Sequence, residues 1–195
     1  MLDSNKNPVL LNNFLVYNQT ILNKSENTIK EYNYDLNKFF KFIKIHKNLT
    51  QELDFGKIDI TDIDLNLIKQ IDINDLYAFI GYLTNECKNA PPSRARKIAS
   101  LRSFFNYLTK RTNLLEKNPA QNLESPKLGK RMPKYLTLEE SKTLLNATED
   151  EENRNKERDY AIITLFLNCG MRLSELVNIN FTDIVMEERK TYCYW

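Results

Sequence analysis

Between residues 25 and 45, apolar side chains recur at alternating intervals of three and four, and no other feature of the sequence constrains the fold as strongly. The apolar positions are Ile29, Tyr32, Leu36, Phe39, Phe40 and Ile43. This interval places them on one face of an α-helix of about 20 residues, which Ser25 can cap at its start. With only 4 glycines and 6 prolines in 195 residues, few tight turns are available. The sequence therefore predicts an all-α protein.

The same kind of spacing predicts helices elsewhere in the chain, over residues 8–23, 73–87 and 94–110. Residues 48–70 are acidic and weakly periodic, which favours a loop with room for one short helical turn. Farther along, Thr137 and Glu140 match a capping box, which predicts a short helix that ends near Ala147. Two helices follow over 157–168 and 174–179, and Gly170 is expected to cap the first of them. The apolar side chains of the 157–168 helix are expected to be buried, and residues 181–184 indicate the start of a strand.

Residues 113–134 predict a linker between two units. Their prolines cannot continue a helix at this spacing, and basic side chains surround them. The prolines are Pro119, Pro126 and Pro133, and the basic residues near them are Lys117, Lys127, Lys130, Arg131 and Lys134. The predicted organisation is a helical domain over residues 1–112, a linker over 113–134 and a second domain over 135–195.

The net charge of +2 is distributed unevenly. Residues 88–134 carry 12 basic and 2 acidic side chains, whereas residues 48–87 carry 2 basic and 8 acidic ones. A cationic block of this density is typical of a protein that binds a polyanion such as nucleic acid, although a solvated lysine-rich surface has the same composition. In the predicted 94–110 helix, Arg96 faces away from the apolar stripe and Arg102 lies at its flank. The side of this helix that carries Arg96 is therefore either an ordinary solvent-exposed face or a surface that binds an anion.

Several classes of site are not expected. Cys87, Cys169 and Cys193 form no CxxC pair, and His46 is the only histidine, so a zinc site or a disulfide framework is excluded as the organising feature. No apolar run approaches the ~20 residues that span a bilayer, and the N-terminus has no signal-peptide pattern. We therefore expect a cytoplasmic protein without membrane contact, metal or small-molecule cofactor.

Arg172 stands at a junction between two apolar stretches, directly after Gly170 and Met171. A guanidinium held in place by packing on both sides is suited to bind a phosphate bidentately. The alternative is an arginine that only satisfies carbonyl groups at the junction.

Several segments, in order, resemble the tyrosine recombinase (phage integrase) family of Xer type. Residues 25–36 and 94–108 resemble the early helix and the last long helix of its core-binding domain. Residues 118–127 resemble the interdomain linker, and residues 133–137 the opening of the catalytic domain. The pair Arg158-Asp159-Tyr160-Ala161 and Gly170-Met171-Arg172-Leu173-Ser174-Glu175-Leu176 resembles the region of the first active-site arginine.

The resemblance implies a helical, SAM-like core-binding domain that clamps double-stranded DNA, followed by the first, mostly helical part of a catalytic domain. It implies metal-independent cleavage and rejoining of DNA through a 3′-phosphotyrosyl intermediate, with other recombinase protomers as partners on the DNA. Arg172 matches the first catalytic arginine, and Glu175 matches the acidic residue that supports it. The residues expected to bind DNA are Lys30, Arg94, Arg96, Lys97 and Arg102.

After Ile184 the sequence departs from the family pattern. The hairpin lysine, the HxxR motif and the nucleophilic tyrosine have no counterparts, and neither Tyr192 nor Tyr194 follows the required residues. We expect a chain that ends within the catalytic domain and binds DNA without cutting it. The alternatives are a standalone DNA-binding regulator derived from a recombinase and a helical protein–protein adaptor.

Overall fold

The computed structural model describes residues 6–52, 54–129, 132–149, 154–185 and 190–191. The chain divides into an N-terminal unit, Met1–Lys130, and a C-terminal unit, Arg131–Trp195. The described residues are mostly helical, with one pair of two-residue strands. The predicted all-α fold class is therefore confirmed.

The N-terminal unit contains five α-helices among its described residues. They are α1 (Val9–Thr20), α2 (Glu26–His46), α3 (Leu65–Lys69), α4 (Ile73–Asn85) and α5 (Pro91–Asn106). A π-helical turn, Tyr107–Arg111, continues α5. All four helices predicted in this region are present, and α3 is the short turn expected within residues 48–70.

The C-terminal unit contains α6 (Leu138–Asn146), α7 (Lys156–Cys169) and α8 (Leu173–Val177). Short 3₁₀ turns follow α6 at Ala147–Glu149 and α8 at Phe181–Asp183. The strands β1 (Ile184–Val185) and β2 (Lys190–Thr191) pair antiparallel, with Ile184 opposite Thr191.

Local sequence sets several helix starts. The Ser25 hydroxyl accepts a hydrogen bond from the Thr28 amide at 3.4 Å, as predicted. Thr137 and Glu140 form the predicted capping box at α6, with the Thr137 amide donating to Glu140 Oε2 at 2.7 Å. Each cap satisfies amides that the helix leaves without a partner, so these boundaries depend on neighbouring residues alone.

Phenylalanines from four helices form the centre of the N-terminal core. Six are fully buried: Phe14, Phe39, Phe40, Phe79, Phe104 and Phe105. The ring centroids of Phe14 and Phe104 lie 5.4 Å apart and edge to face, and those of Phe39 and Phe79 lie 5.2 Å apart. Such pairs add favourable ring geometry to the burial of apolar area, and they fix α1, α2, α4 and α5 against one another.

The acidic segment 48–70 is more ordered than its weak periodicity predicted. Its isoleucines Ile58, Ile60, Ile63 and Ile68 are buried in the same core. Lys44 of α2 donates to the Asp62 carboxylate at 2.8 Å and to the Asp59 carbonyl oxygen at 2.9 Å. An irregular backbone therefore packs through isolated isoleucines, a pattern that helical or strand periodicity does not detect.

The predicted linker over 113–134 needs correction in its first half. Leu115, Ala120 and Leu123 are buried in the N-terminal core, and Arg102 of α5 donates to the carbonyl oxygen of Leu123. The prolines end the helix as expected, but the apolar residues between them anchor the chain. Residues up to 123 therefore pack with the N-terminal unit.

The predicted burial of the apolar face of α7 is also incorrect. Tyr160 is 43% exposed, and Ile163, Leu165, Phe166 and Leu167 are only partly buried. Periodicity identifies an apolar helix face but not whether a neighbour covers it.

Candidate functional site

Arg172 lies in the turn between α7 and α8. Gly170 ends α7 in the left-handed region, with φ of 62°, where a residue with a side chain is strained. Arg172 then occupies the cap position before α8 with extended backbone angles. This turn leaves the Arg172 side chain 68% exposed.

Glu175 contacts Arg172 at two points. Its Oε2 accepts from the Arg172 backbone amide at 2.7 Å, and its Oε1 accepts from Arg172 Nη1 at 2.8 Å. The backbone hydrogen bond is the main cause of a Glu175 pKa below its ordinary value, and the Arg172 side chain lowers it further. Because a carboxylate with a lowered pKa is charged at neutral pH, both contacts are intact there. As the pH falls through that lowered pKa, Glu175 loses its charge and with it the ion pair to the guanidinium, whereas a carboxyl oxygen can still accept from the Arg172 amide.

In this geometry, Glu175 fixes the Arg172 backbone and one guanidinium nitrogen, while most of the side chain stays exposed to solvent. A guanidinium that is positioned in advance can bind phosphate oxygens without first losing much conformational freedom. The predicted roles of Arg172 and Glu175 in catalysis stay predictions, since the geometry is that of the chain without a ligand.

Four residues of α5 form an outward row, here called the α5 outer row. They are Arg96, Ala99, Ser103 and Asn106. Ala99 and Asn106 are exposed, whereas Arg96 and Ser103 are half-buried. The small side chains beside Arg96 leave space for a bulky group to approach the helix.

Asp35 of α2 joins α2 to α5 in what we call the Asp35 cluster. Its carboxylate accepts from Arg96 Nη1 at 2.8 Å, from Lys97 Nζ at 2.6 Å and from the Ser100 hydroxyl at 2.8 Å. Glu31 also belongs to the cluster, because it forms an ion pair with Arg96. The Asp35 side chain is 1% exposed, so the cluster supplies charged partners to a carboxylate that would otherwise be costly to bury.

The prediction that Lys97 binds DNA is therefore corrected. Its side chain is only 3% exposed, and its ammonium group lies 4.9 Å from the centre of the Tyr34 ring as well as against Asp35. The positive charge of Lys97, which the sequence predicted to lie on a binding surface, instead balances the buried Asp35 carboxylate.

The other predicted DNA-binding residues lie in separate settings. Arg94 donates to Thr84 Oγ1 at 2.5 Å, and the contact of Arg102 with Leu123 holds residues 114–123 against α5. Lys30 is 63% exposed and forms an ion pair with Glu26 at 3.5 Å. The structure brings Arg96 and Lys97 together but does not gather all five residues into one site.

A groove of about 770 Å³ lies on the N-terminal unit, between the second half of α5, residues 116–122 and the turn before α4. We call it the basic groove. Its cationic residues are Lys69, Arg102, Lys110 and Lys117, its acidic ones are Asp72 and Glu116, and its carboxamides are Asn106, Asn118, Gln121 and Asn122. Sequence reasoning missed this groove because its wall includes the segment predicted as a linker.

Sequence reasoning also missed the roles of Glu31 and Asp35. They lie one turn apart on α2, and Asp35 directly precedes the buried Leu36. An acidic residue beside an apolar stripe is usually solvated, so only the fold shows that Asp35 is buried and that α5 provides its cationic partners.

In the described part of the chain, no three His, Cys, Asp or Glu side chains are placed to hold a metal ion. The helices described are all too short or too polar to cross a membrane.

Comparison with known proteins identifies the family. A sequence model of the phage integrase family matches residues 134–195. Tyrosine recombinase XerC of Caldanaerobacter subterraneus subsp. tengcongensis is 56% identical over 180 residues, which cover 92% of this chain and 50% of the relative. The chain belongs to the tyrosine recombinase family. The predicted family is thereby confirmed.

A second curated relative and a solved structure match as well. A tyrosine recombinase of Pseudothermotoga lettingae is 31% identical over 90% of this chain and 53% of its own length. The crystal structure of XerA recombinase aligns with 92% of this chain and 52% of its own, at 26% identity and a TM-score of 0.40. The chain spans about half the length of the curated relatives that it matches.

Proposed function

We propose that this chain is the DNA-binding part of a site-specific tyrosine recombinase and that it binds duplex DNA through the N-terminal unit. The observation that carries the proposal is the basic groove, which continues the α5 outer row at Asn106. Cations there can neutralise phosphates, which gives affinity, and carboxamides can bond to base edges. Membership of the tyrosine recombinase family favours the same partner.

In the C-terminal unit, Arg172 is assigned to the phosphate at which a strand would be exchanged. Without a metal, side-chain cations must stabilise the charge that develops on the phosphate oxygens. Glu175 fixes the orientation of Arg172 through the two hydrogen bonds described above. Within the given sequence, the family pattern assigns Arg172 and Glu175 to this site and assigns neither Tyr192 nor Tyr194 as the nucleophile.

The test of DNA binding is a salt titration. Each neutralised phosphate contributes roughly −0.9 to the slope of log K against log salt, so replacing both Lys110 and Lys117 with alanine should make the slope shallower by about 1–2. Both lysines are exposed and line the basic groove. Binding is measured by fluorescence anisotropy on a labelled duplex of mixed sequence.

The matched control is Lys57→Ala. Lys57 has a 73% exposed side chain in the acidic segment, and the basic groove does not include it. The control should leave the slope unchanged. A double variant whose slope equals that of the parent would place the DNA elsewhere on the molecule, and a parent chain that does not bind duplex DNA would refute the proposed function.

A further inference from the structure

We propose that Glu31 is an exchangeable counter-ion for Arg96. In the chain without DNA, the Glu31 carboxylate contacts the Arg96 guanidinium, and a DNA phosphate takes its place on binding. This inference rests on the proposed function, because it requires duplex DNA to approach the α5 outer row. Glu31 of α2 would therefore control whether the charge of Arg96 on α5 is available to DNA.

The first step is the separation of the Asp35 cluster into a buried half and an exposed half. Asp35 and Lys97 are 1% and 3% exposed, and their atoms Oδ1 and Nζ lie 2.6 Å apart. Ser100 donates a further hydrogen bond to Asp35. The buried half is therefore electrically neutral and keeps two contacts that do not involve Arg96.

The second step is that Arg96 and Glu31 form the exposed half. Their side chains are 39% and 56% exposed. Nη1 of Arg96 contacts the carboxylates of both Asp35 and Glu31. Lys97 already balances the charge of Asp35, so the charge of Glu31 is the one that balances Arg96. The cluster carries two positive and two negative charges, so Glu31 is the group that removes the net positive charge from this surface.

The third step is that the contact between Glu31 and Arg96 can be exchanged. Ion pairs between exposed side chains contribute little, because water screens them and both side chains lose freedom. A phosphate offers several oxygens to the planar guanidinium and belongs to a polyanion, so it binds Arg96 more strongly than one flexible carboxylate does. Asp35 keeps Arg96 in position during the exchange, because its own carboxylate is buried and fixed.

The experiment is a double-mutant cycle on duplex affinity, measured by anisotropy at about 50 mM salt. Glu31→Gln removes the charge of the counter-ion and is compared with Glu26→Gln, which removes the same charge from the same helix. Glu26 is 82% exposed and pairs with Lys30 instead of Arg96. Each change is made in the parent and in an Arg96→Gln background. Glutamine keeps an N–H donor for Asp35, which also retains Lys97 and Ser100.

We expect Glu31→Gln to tighten binding by about 2- to 5-fold in the parent, the range set by one exposed ion pair. In the Arg96→Gln background this gain should fall to that of Glu26→Gln. Glu26→Gln should have the same small effect in both backgrounds, since it changes the long-range charge and frees the more exposed Lys30, and neither effect involves Arg96.

A gain from Glu31→Gln that is equal in both backgrounds, or no larger than that of Glu26→Gln, would overturn the inference while leaving duplex binding intact. The comparison of the two glutamine variants in the parent decides the question even if Arg96→Gln fails to fold, as judged by circular dichroism. Absence of duplex binding by the parent would overturn the proposed function and this inference together.

Discussion

Arg96 and Lys97 are adjacent in the sequence but have different environments, because successive residues of an α-helix point about 100° apart. Arg96 points along the α5 outer row and reaches the surface, whereas Lys97 points between α5 and α2 and is buried. A basic residue near a helix surface can serve either binding or folding. Here the partner that decides between them, Asp35, lies 62 residues from Lys97 in the sequence.

The burial of Lys97 predicts a large loss of stability on its removal. Lys97→Ala should lower the free energy of unfolding by about 2–4 kcal/mol, because a buried carboxylate loses its closest cation while Arg96 and Ser100 remain. Urea denaturation followed by circular dichroism measures the change.

The matched control for Lys97 is Lys30→Ala, which removes an exposed lysine from α2. It should change stability by no more than about 0.5 kcal/mol, as is usual for surface substitutions. Equal losses for the two variants would show that the buried pair does not stabilise the fold.

At the scale of helices and loops, the features that could be predicted are those encoded locally. Ser25 and Thr137 set helix starts through contacts within three residues, and the apolar stripe of α2 follows from its spacing. The segments 48–70 and 114–123 could not be predicted, because their burial depends on isolated apolar residues that contact distant helices. The candidate site shows the same division, since Arg172 and Glu175 lie within one turn whereas the basic groove joins three separate segments.

The corrected linker predicts the order of tryptic cleavage. Lys127 should be cut before Lys117, although both side chains are exposed. Lys117 is followed by Asn118, which bonds to Asn106 at 2.9 Å and to the Ala120 amide at 2.8 Å, so the backbone there is held. Lys127 lies in a stretch without regular secondary structure, and the neighbouring Leu128 is 53% exposed. Mass spectrometry of early fragments gives the order.

Arg102→Ala is the informative variant for this prediction. It removes the hydrogen bond to Leu123 and should therefore speed cleavage at Lys117, with a smaller effect at Lys127. Early cleavage at Lys117 in the parent would mean that the segment before residue 123 opens readily despite its buried leucines.

At the scale of the whole molecule, the two units differ in how completely their helices are covered. The N-terminal unit has a continuous aromatic and aliphatic core. In the described part of the C-terminal unit, Met171 is the one buried hydrophobic residue, and Leu173, Val177 and Phe181 are 68%, 73% and 89% exposed. The N-terminal unit is therefore expected to supply most of the stability and most of the affinity for DNA, whereas the C-terminal unit carries Arg172, the residue proposed for catalysis.

The 195-residue polypeptide is predicted to form no covalent adduct with DNA. Losing one group that stabilises a transition state costs about 10²–10³ in rate, and groups that act together lose nearly all activity when several are absent. This polypeptide offers Arg172, while the family motifs assign neither Tyr192 nor Tyr194, both outside the described residues, as nucleophile. A nicked suicide substrate, which traps any protein–DNA link, measures adducts after denaturation. An adduct that disappears on changing Tyr192 or Tyr194 to phenylalanine would contradict the prediction.

A hybrid chain tests whether Arg172 is ready for catalysis. In the hybrid, residue 184 is followed by the residues of the Caldanaerobacter XerC that come after the equivalent position. We expect these residues to pack against this chain, because the aligned 180 residues of the two proteins are 56% identical. The hybrid should form the adduct, and Arg172→Ala should reduce its rate by about 10²-fold or more while leaving duplex affinity nearly unchanged. Glu175→Gln should have a smaller effect, because it keeps an oxygen that can accept from the Arg172 amide and loses only the charge that steadies the guanidinium. Equal rates for the parent hybrid and its Arg172→Ala variant would show that this arginine only shapes the turn between α7 and α8.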